Sequence, residues 1–237
     1  MAVQSLTELL KNNEYAGRGI VIGVDKKAEN AVIAYFLMGR SVNSRNRVFL
    51  ENGDDLLIKA FDESKMEDPT LIIYSPLRVL GNRTIVTNGD QTDTIYDDIK
   101  AGGCFEGALR KRTYEPDAPN FTSRISGMVT LDKGACGYVL NILKRFDTDN
   151  DACLRQTYEY EPVAGVGHFI HTYMGNGEPL PRFQGEPEIV EMDFNGIDDF
   201  TEQVWSSLNA DNKVSLVTRY ISLADGSYTQ RIVNRNK

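Results

Sequence analysis

The sequence predicts an α+β fold in which two packed β-sheets are covered on the outside by helices. Short apolar runs dominate the chain; they are rich in β-branched and aromatic residues and are bounded by Gly, Asn, Asp or Pro. Their continuous apolar character predicts strands that are covered on both faces. Helix-like segments are fewer and come late in each half of the chain, which suits them to the outer faces of such sheets.

Eight segments have the character of strands. In chain order they are residues 19–24, 31–38, 56–61, 71–74, 83–87, 137–143, 168–173 and 214–221. All are four to eight residues long, as expected for strands rather than helices.

Three segments have the character of helices. Thr92 or Asp93 is a suitable N-cap for a first helix, which the glycines at 102 and 103 interrupt, and a second helical run follows over residues 105–112. A third helix is predicted over residues 198–209, and one apolar stripe supports it: Ile197, Phe200, Val204, Trp205 and Leu208. Residues 176–188 contain three prolines and two glycines, which predict an irregular loop that either covers a site or connects elements at the surface.

Length and charge restrict the class of protein. A chain of 237 residues with 41% hydrophobic residues can form one large domain, and we expect a single domain over residues 1–237. The net charge of −8 argues against a nucleic-acid-binding or anionic-membrane-binding protein, because both need a basic face. Any anionic ligand must then be held by a local group of arginines.

The cysteines and the N-terminus predict a cytoplasmic protein. Cys104, Cys136 and Cys153 are widely spaced and odd in number, so neither a disulfide framework nor a zinc site is indicated, and we expect small buried hydrophobic residues. The N-terminus lacks the pattern of a signal peptide, and no apolar run approaches the length of a membrane span. His168 and His171 are three residues apart in a predicted strand, so they should point to opposite faces and not form a metal pair.

Four segments combine the residues that could form a binding site. The turn at residues 88–94, Asn-Gly-Asp-Gln-Thr-Asp-Thr, lies between a predicted strand and a predicted helix and collects amides, hydroxyls and a helix start at one place. Two segments precede it: the arginine-rich residues 39–47 and the Leu-Ile-Ile-Tyr-Ser-Pro-Leu-Arg run at 71–78. The fourth, residues 113–127, carries a Tyr-Glu-Pro-Asp sequence followed by Thr-Ser-Arg-Ile-Ser-Gly.

In this order the four segments resemble the archaeal-type IMP cyclohydrolase family. The resemblance extends over residues 17–127, with only scattered similarity after them. It implies the four-layer α-β-β-α core of N-terminal-nucleophile hydrolases and an enzyme that converts 5-formamidoimidazole-4-carboxamide ribonucleotide to IMP and water. Ring closure of this kind requires positioning, proton transfer and oxyanion stabilisation, and demands neither a cofactor nor a metal. The partner would be a small purine nucleotide.

The same resemblance implies which residues bind the substrate. Arg45 ends an Arg-Ser-x-x-x-Arg spacing that matches a substrate-binding arginine of the family, and Arg40 fits its first arginine, so both are expected at the phosphate. Arg47 has no such support. Asn88 either binds the carboxamide of the substrate or caps the turn.

Tyr74 and Glu115 are the candidate catalytic residues. Tyr74 matches an Ile-x-Tyr-x-x-x-Arg pattern of the family. Arg78 is the arginine of this pattern, and we expect it to support the turn. Glu115 matches a functional glutamate of the family, and a partly desolvated carboxylate could accept the amide proton. Arg124 fits a family arginine that pairs with Glu115 or contacts the ligand.

Two departures from the family keep other functions open. The chain begins Met1-Ala2 and has about 16 residues before its first predicted strand, so covalent catalysis by an N-terminal nucleophile is not expected. Met38 occupies a position where family members have a small polar or thiol residue. The alternatives are another amide hydrolase or cyclase on the same fold and a non-catalytic purine-nucleotide-binding protein. The sequence leaves a homo-oligomer open.

Overall fold

The structure of the chain is a computed structural model that describes residues 2–66, 73–146 and 149–236. It is a mixed α/β protein with two antiparallel sheets and few helices. The strands, in chain order, are β1 Arg18–Val24, β2 Asn30–Met38, β3 Arg47–Asn52, β4 Asp55–Ala60, β5 Leu77–Leu80, β6 Arg83–Thr87, β7 Arg124–Asp132, β8 Ala135–Arg145, β9 Cys153–Tyr160, β10 Val166–His171, β11 Glu188–Glu191, β12 Lys213–Ser222 and β13 Tyr228–Asn234. The α-helices are α1 Leu6–Asn12, α2 Val42–Arg45, α3 Gln91–Lys100, α4 Phe105–Arg110 and α5 Ile197–Ser207, and a 3-10 helix spans Glu63–Lys65.

The strands form one six-stranded and one seven-stranded sheet. The order in the first is β11-β10-β1-β2-β12-β13, and in the second it is β3-β4-β5-β6-β7-β8-β9. Seven of the eight predicted strands are confirmed. For the eighth, residues 71 and 72 lie outside the described part of the chain, and Ile73 and Tyr74 are not in a strand. A single bond from the Ile58 amide to the Tyr74 carbonyl joins this segment to β4, and β5 begins only after Pro76, which has no amide to donate.

The continuous apolar strands are covered on both faces, as predicted. Alternate residues of β1 show this clearly, because Ile20 and Ile22 belong to the core between the sheets, whereas Val21 belongs to a core on the outer face. Leu10 of α1 and Phe200 of α5 belong to the same outer core as Val21.

A separate cluster covers the other face of the seven-stranded sheet. Ile95 of α3 and Leu109 of α4 pack there against Ile85 of β6 and Leu143 of β8. Within the described ranges, no helix is long and apolar enough to cross a membrane.

The three predicted helices are confirmed with small shifts at their ends: α4 begins at Phe105 as predicted and ends at Arg110, and α5 spans Ile197–Ser207. The first predicted helix begins at Gln91 with Asp90 as N-cap, so neither Thr92 nor Asp93 is the cap. The Thr92 hydroxyl instead donates to the Gly89 carbonyl at 3.0 Å, and Asp93 pairs with Arg78 at 2.8 Å.

The expectation that all three cysteines are buried was wrong for Cys104. Cys136 is buried and Cys153 is half-buried, but Cys104 is exposed. It is the N-cap of α4, where its Sγ accepts a hydrogen bond from the Gly107 amide at 3.4 Å, and this position at a helix start faces solvent.

Candidate active site

Several polar residues lie at one end of the two sheets. Arg18, Arg47 and Arg124 are the first residues of β1, β3 and β7, and Asn88 directly follows the last residue of β6. In an antiparallel sheet the start of one strand lies beside the end of its neighbour, and the register places Thr87 opposite Ser126 accordingly. Strand ends from both sheets therefore meet here.

The turn before β1 fixes the position of Arg18. Gly17 has φ +75°, and a Cβ at this residue would lie only 2.3 Å from Thr172 Oγ1 and 2.5 Å from the Tyr173 ring. Only glycine fits such a backbone without strain. The Arg18 amide donates to Thr172 Oγ1 at 3.1 Å, while its side-chain Nε is buried and has no hydrogen-bond partner among the described residues.

Tyr35 and Tyr74 form a buried hydroxyl pair between the sheets. Their oxygens are 2.8 Å apart, and Tyr74 is 7% exposed. Burial raises the pKa of the Tyr74 hydroxyl, and the positive charges of Arg47 and Arg18 oppose this rise. A tyrosine of this kind stays protonated at neutral pH and can donate to an oxygen that gains negative charge.

Arg47 is a fully buried arginine with incomplete hydrogen bonding. Its side chain is fully buried, and its Nε donates to the Ser44 carbonyl at 2.9 Å. In the described part of the chain, neither of its two terminal nitrogens has a hydrogen-bond partner. Burial, and after it the charge of Arg18, lowers the pKa of the Arg47 guanidinium.

Glu115 brings a titratable carboxyl to this group of cations. Its backbone amide donates to the Thr122 carbonyl at 2.9 Å, and the residue is 3% exposed. Burial raises the pKa of the Glu115 carboxyl to about 7, although the charges of Arg18 and Arg124 act against the rise. Near neutral pH the group can therefore be either a proton donor or a proton acceptor.

The turn at residues 88–94 lies against Glu115 and Arg124. A Cβ on Gly89 would be 2.4 Å from Arg124 Nη1 and 3.4 Å from Glu115 Oε1, so this glycine allows the close approach. Arg124 Nη1 donates to Gln91 Oε1 at 2.7 Å and pairs with Asp90 at 2.8 Å. The ion pair of Arg124 is thus with Asp90, and its interaction with Glu115 is a longer-range attraction.

The Asn88 side chain ties the turn to β7. Its Oδ1 accepts from the Ile125 amide at 2.8 Å and from Gln91 Nε2 at 3.0 Å, while its Nδ2 donates to the Ser123 carbonyl at 2.9 Å. Of the two roles that the sequence left open, these contacts match the support of the turn.

Arg40 and Arg45 lie at the rim of this end. Arg40 Nη1 donates to Asn176 Oδ1 at 2.7 Å and its Nη2 pairs with Glu178 at 3.1 Å, so residues of the proline-rich loop contact the arginine-rich segment. Arg45 Nε donates to the Gly39 carbonyl at 2.8 Å, and its Nη2 donates to Asn212 Oδ1 at 3.2 Å. Both arginines are partly exposed.

Arg78 forms ion pairs that join secondary-structure elements, and Met38 packs in a hydrophobic core. Arg78 bridges Asp55 and Asp93, and its guanidinium lies 3.5 Å from the centre of the Tyr96 ring, which joins β4 and β5 to the start of α3. Met38 is fully buried in the outer core with the helices.

The two histidines point away from each other, as predicted. His168 accepts or donates a bond at 2.6 Å with the Tyr138 hydroxyl of the other sheet, whereas His171 lies 3.1 Å from Glu188. The described residues contain no group of three or more His, Cys, Asp or Glu that could hold a metal ion.

The sequence did not single out Arg18 or Tyr35, and it set Arg47 aside because no family motif supported it. One signal was available for the two arginines, because each directly precedes a short apolar run. Charged residues are rarely buried without a partner, so an arginine in such a place is a candidate ligand-binding residue. Tyr35 had no comparable signal, since it is one aromatic residue within an apolar strand.

The site combines a buried carboxyl whose pKa is near neutrality with two hydroxyls and several arginines. These are the features of an enzyme site that moves protons and binds anions.

Residues 15–226 match the sequence model of a family described as IMP cyclohydrolase-like protein. The chain belongs to this family, and the match extends well beyond residue 127, where the sequence had indicated only scattered similarity.

Named relatives come from methanogenic archaea. An IMP cyclohydrolase of Methanococcus maripaludis is 29% identical over 163 residues, which cover 67% of this chain and 74% of the relative. An IMP cyclohydrolase of Methanocella arvoryzae is 32% identical over 154 residues, which cover 61% of this chain and 74% of the relative.

Proposed function

We propose that this protein is an IMP cyclohydrolase that closes the second ring of the purine, converting 5-formamidoimidazole-4-carboxamide ribonucleotide to IMP and water. Membership of the family supports the reaction. The observation that carries the proposal is the buried Glu115 carboxyl, whose pKa of about 7 suits it to proton transfer at neutral pH beside arginines and tyrosines.

Each candidate residue has a role in this reaction. Glu115 accepts a proton from the carboxamide nitrogen as that nitrogen attacks the formyl carbon. Tyr74 donates a hydrogen bond to the formyl oxygen and later a proton to the departing hydroxide. Arg124 holds Glu115 in place through its positive charge, and Asn88 keeps the turn in position beside the carboxamide.

Arg40 and Arg45 bind the phosphate at the rim. Their partial exposure suits a group that takes no part in the chemistry, and the Arg40 contacts with Asn176 and Glu178 would be exchanged for the ligand. The proline-rich loop then covers the phosphate end of the nucleotide.

We extend the proposal to the architecture and setting of the protein. The outer clusters of α1 and α5 on one sheet and of α3 and α4 on the other support a four-layer α-β-β-α sandwich like that of N-terminal-nucleophile hydrolases. The whole chain, residues 1–237, forms one domain of a cytoplasmic enzyme that acts on a small purine nucleotide.

The decisive experiment is direct. Purified protein is added to the formamido nucleotide without folate, NAD or ATP, and IMP is followed by its absorbance, with Glu115→Gln as the inactive control. Rapid formation of IMP by the wild type alone is expected. Protein that binds IMP but leaves the precursor unchanged would instead be a nucleotide-binding protein.

A further inference from the structure

Arg47 carries a buried positive charge whose two terminal nitrogens have no hydrogen-bond partner in the described chain. The residue is fully buried, and among the described residues its Nε alone has a hydrogen-bond acceptor, the Ser44 carbonyl. The Glu115 carboxyl interacts with it through charge and not through a hydrogen bond. Arg18 is close enough to disfavour the charge further. Burying an unpaired cation beside another cation is costly, so its retention indicates that a bound anion completes the site.

Two other buried arginines of the protein have more hydrogen-bond or ion-pair partners than Arg47. Arg124 is paired with Asp90. Arg219, also nearly fully buried, donates from Nε and Nη2 to Gln230 Oε1 at 2.9 and 2.7 Å and from Nη2 to the Asp54 carbonyl at 2.7 Å. Within the described ranges, Arg18 Nε, Arg124 Nε and Arg219 Nη1 are each a single unpaired nitrogen, whereas both terminal nitrogens of Arg47 are unpaired.

The groups around Arg47 indicate which anion it can bind. Its charge acts on the hydroxyls of Tyr74 and Tyr35 and on the Glu115 carboxyl. These are the groups proposed to act on the reacting atoms, whereas Arg40 and Arg45 lie at the rim. An anion held by Arg47 would therefore lie beside the groups proposed to act on the reacting atoms.

We propose that the two unpaired terminal nitrogens of Arg47 bind the formyl oxygen of the substrate and stabilise the negative charge that develops on it. This rests on the proposed function. When the carboxamide nitrogen attacks, a C–N bond forms, the C=O π electrons move to oxygen, and Glu115 takes the amide proton. Protonation of that oxygen, cleavage of the C–O bond and loss of the formamide N–H proton then release one water. Stabilisation of the oxyanion is strongest between substrate and product, because IMP no longer carries this oxygen.

Arg47→Met tests the proposal, with Arg219→Met as the matched buried control. The kcat of Arg47→Met should fall about 10²–10³-fold, as for loss of one oxyanion donor. Its affinity for IMP should change little, and its Tm should rise because an unpaired charge has been removed. Arg219→Met should keep its kcat and lose thermal stability, since its hydrogen-bond acceptors are left unpaired.

Two results would overturn this role. One is a fall in Tm for Arg47→Met, which would show that its charge is satisfied in the folded protein. The other is a loss of IMP affinity as large as the loss of kcat, which would place Arg47 in ground-state binding.

A binding test with a small anion distinguishes a failure of the Arg47 proposal from a failure of the proposed reaction. Sodium formate should raise the Tm of the wild type more than sodium chloride of the same ionic strength does, and this difference should vanish in Arg47→Met. If the wild type shows that difference but never forms IMP, the anion site stands and the proposed reaction fails. If formate and chloride act alike on both proteins while IMP is formed, the reaction stands and the anion site at Arg47 is wrong.

Discussion

Replacing Glu115 with glutamine should change how the stability of the protein depends on pH. The pKa of this carboxyl rises from 4.5 to about 7 on folding, because the buried group is costly to ionise. At 1.36 kcal/mol for each pKa unit, the charged form destabilises the folded state by about 3 kcal/mol. Glu115 is nearly fully buried, so solvent screening reduces this figure little.

The direction in which stability changes with pH follows from how many protons the folded and unfolded states bind. Between pH 4.5 and about 7 the folded state keeps the Glu115 proton and the unfolded state loses it, so unfolding becomes more favourable as pH rises through this window. Below the window Glu115 contributes no penalty, and above it the penalty is complete. Glutamine has nearly the same shape as glutamate but does not titrate. The free energy of unfolding of Glu115→Gln should therefore gain about 3 kcal/mol relative to wild type between pH 4 and pH 8.

Urea unfolding at pH 4, 6 and 8 measures this change. The control is Glu202→Gln, an exposed position in α5, which should keep the pH dependence of the wild type. The same titration should appear in catalysis, where wild-type kcat rises with pH through about 7 as Glu115 becomes a proton acceptor. Parallel stability curves for wild type and Glu115→Gln from pH 4 to pH 8 would refute the reasoning, since the carboxyl would then ionise equally well in both states.

Further substitutions separate chemistry from binding and packing. Tyr74→Phe should lower kcat by about 10²–10⁴-fold with little change in IMP affinity by titration calorimetry, and near-normal turnover would remove Tyr74 from proton transfer. Arg45→Ala should weaken nucleotide binding by roughly 2–4 kcal/mol, and an equal loss for the nucleoside would place the arginine away from the phosphate. Gly89→Ala should displace Arg124, whose Nη1 lies 2.4 Å from the added methyl position, and lower kcat/KM by up to about 10²-fold. Unchanged kinetics of Gly89→Ala would mean that the Arg124 position does not matter. Exhaustive chelation should leave activity intact, and recovery only with added metal would contradict the mechanism.

Strand patterns predicted most interior strands but none of the four edge strands, and they missed β5 and β7 inside the seven-stranded sheet. The central strands β1, β2 and β12 are buried on both faces, because a core between the sheets and a second core under helices cover them. The edge strands β9 and β13 alternate or expose polar residues, so their segments resemble ordinary surface chain. Their pairing comes from a neighbouring strand and leaves only a weak signal in their own sequence.

For the candidate site, the sequence determined which residue types were available, and motif order drew attention to Tyr74 and Glu115. Only the tertiary structure brought Arg18 of one sheet and Arg47 of the other to the same end of the molecule. The properties of these groups also depend on that assembly. The pKa of Glu115 and the unpaired charge of Arg47 result from the removal of water by two packed sheets, and desolvation depends on contacts between residues far apart in the chain.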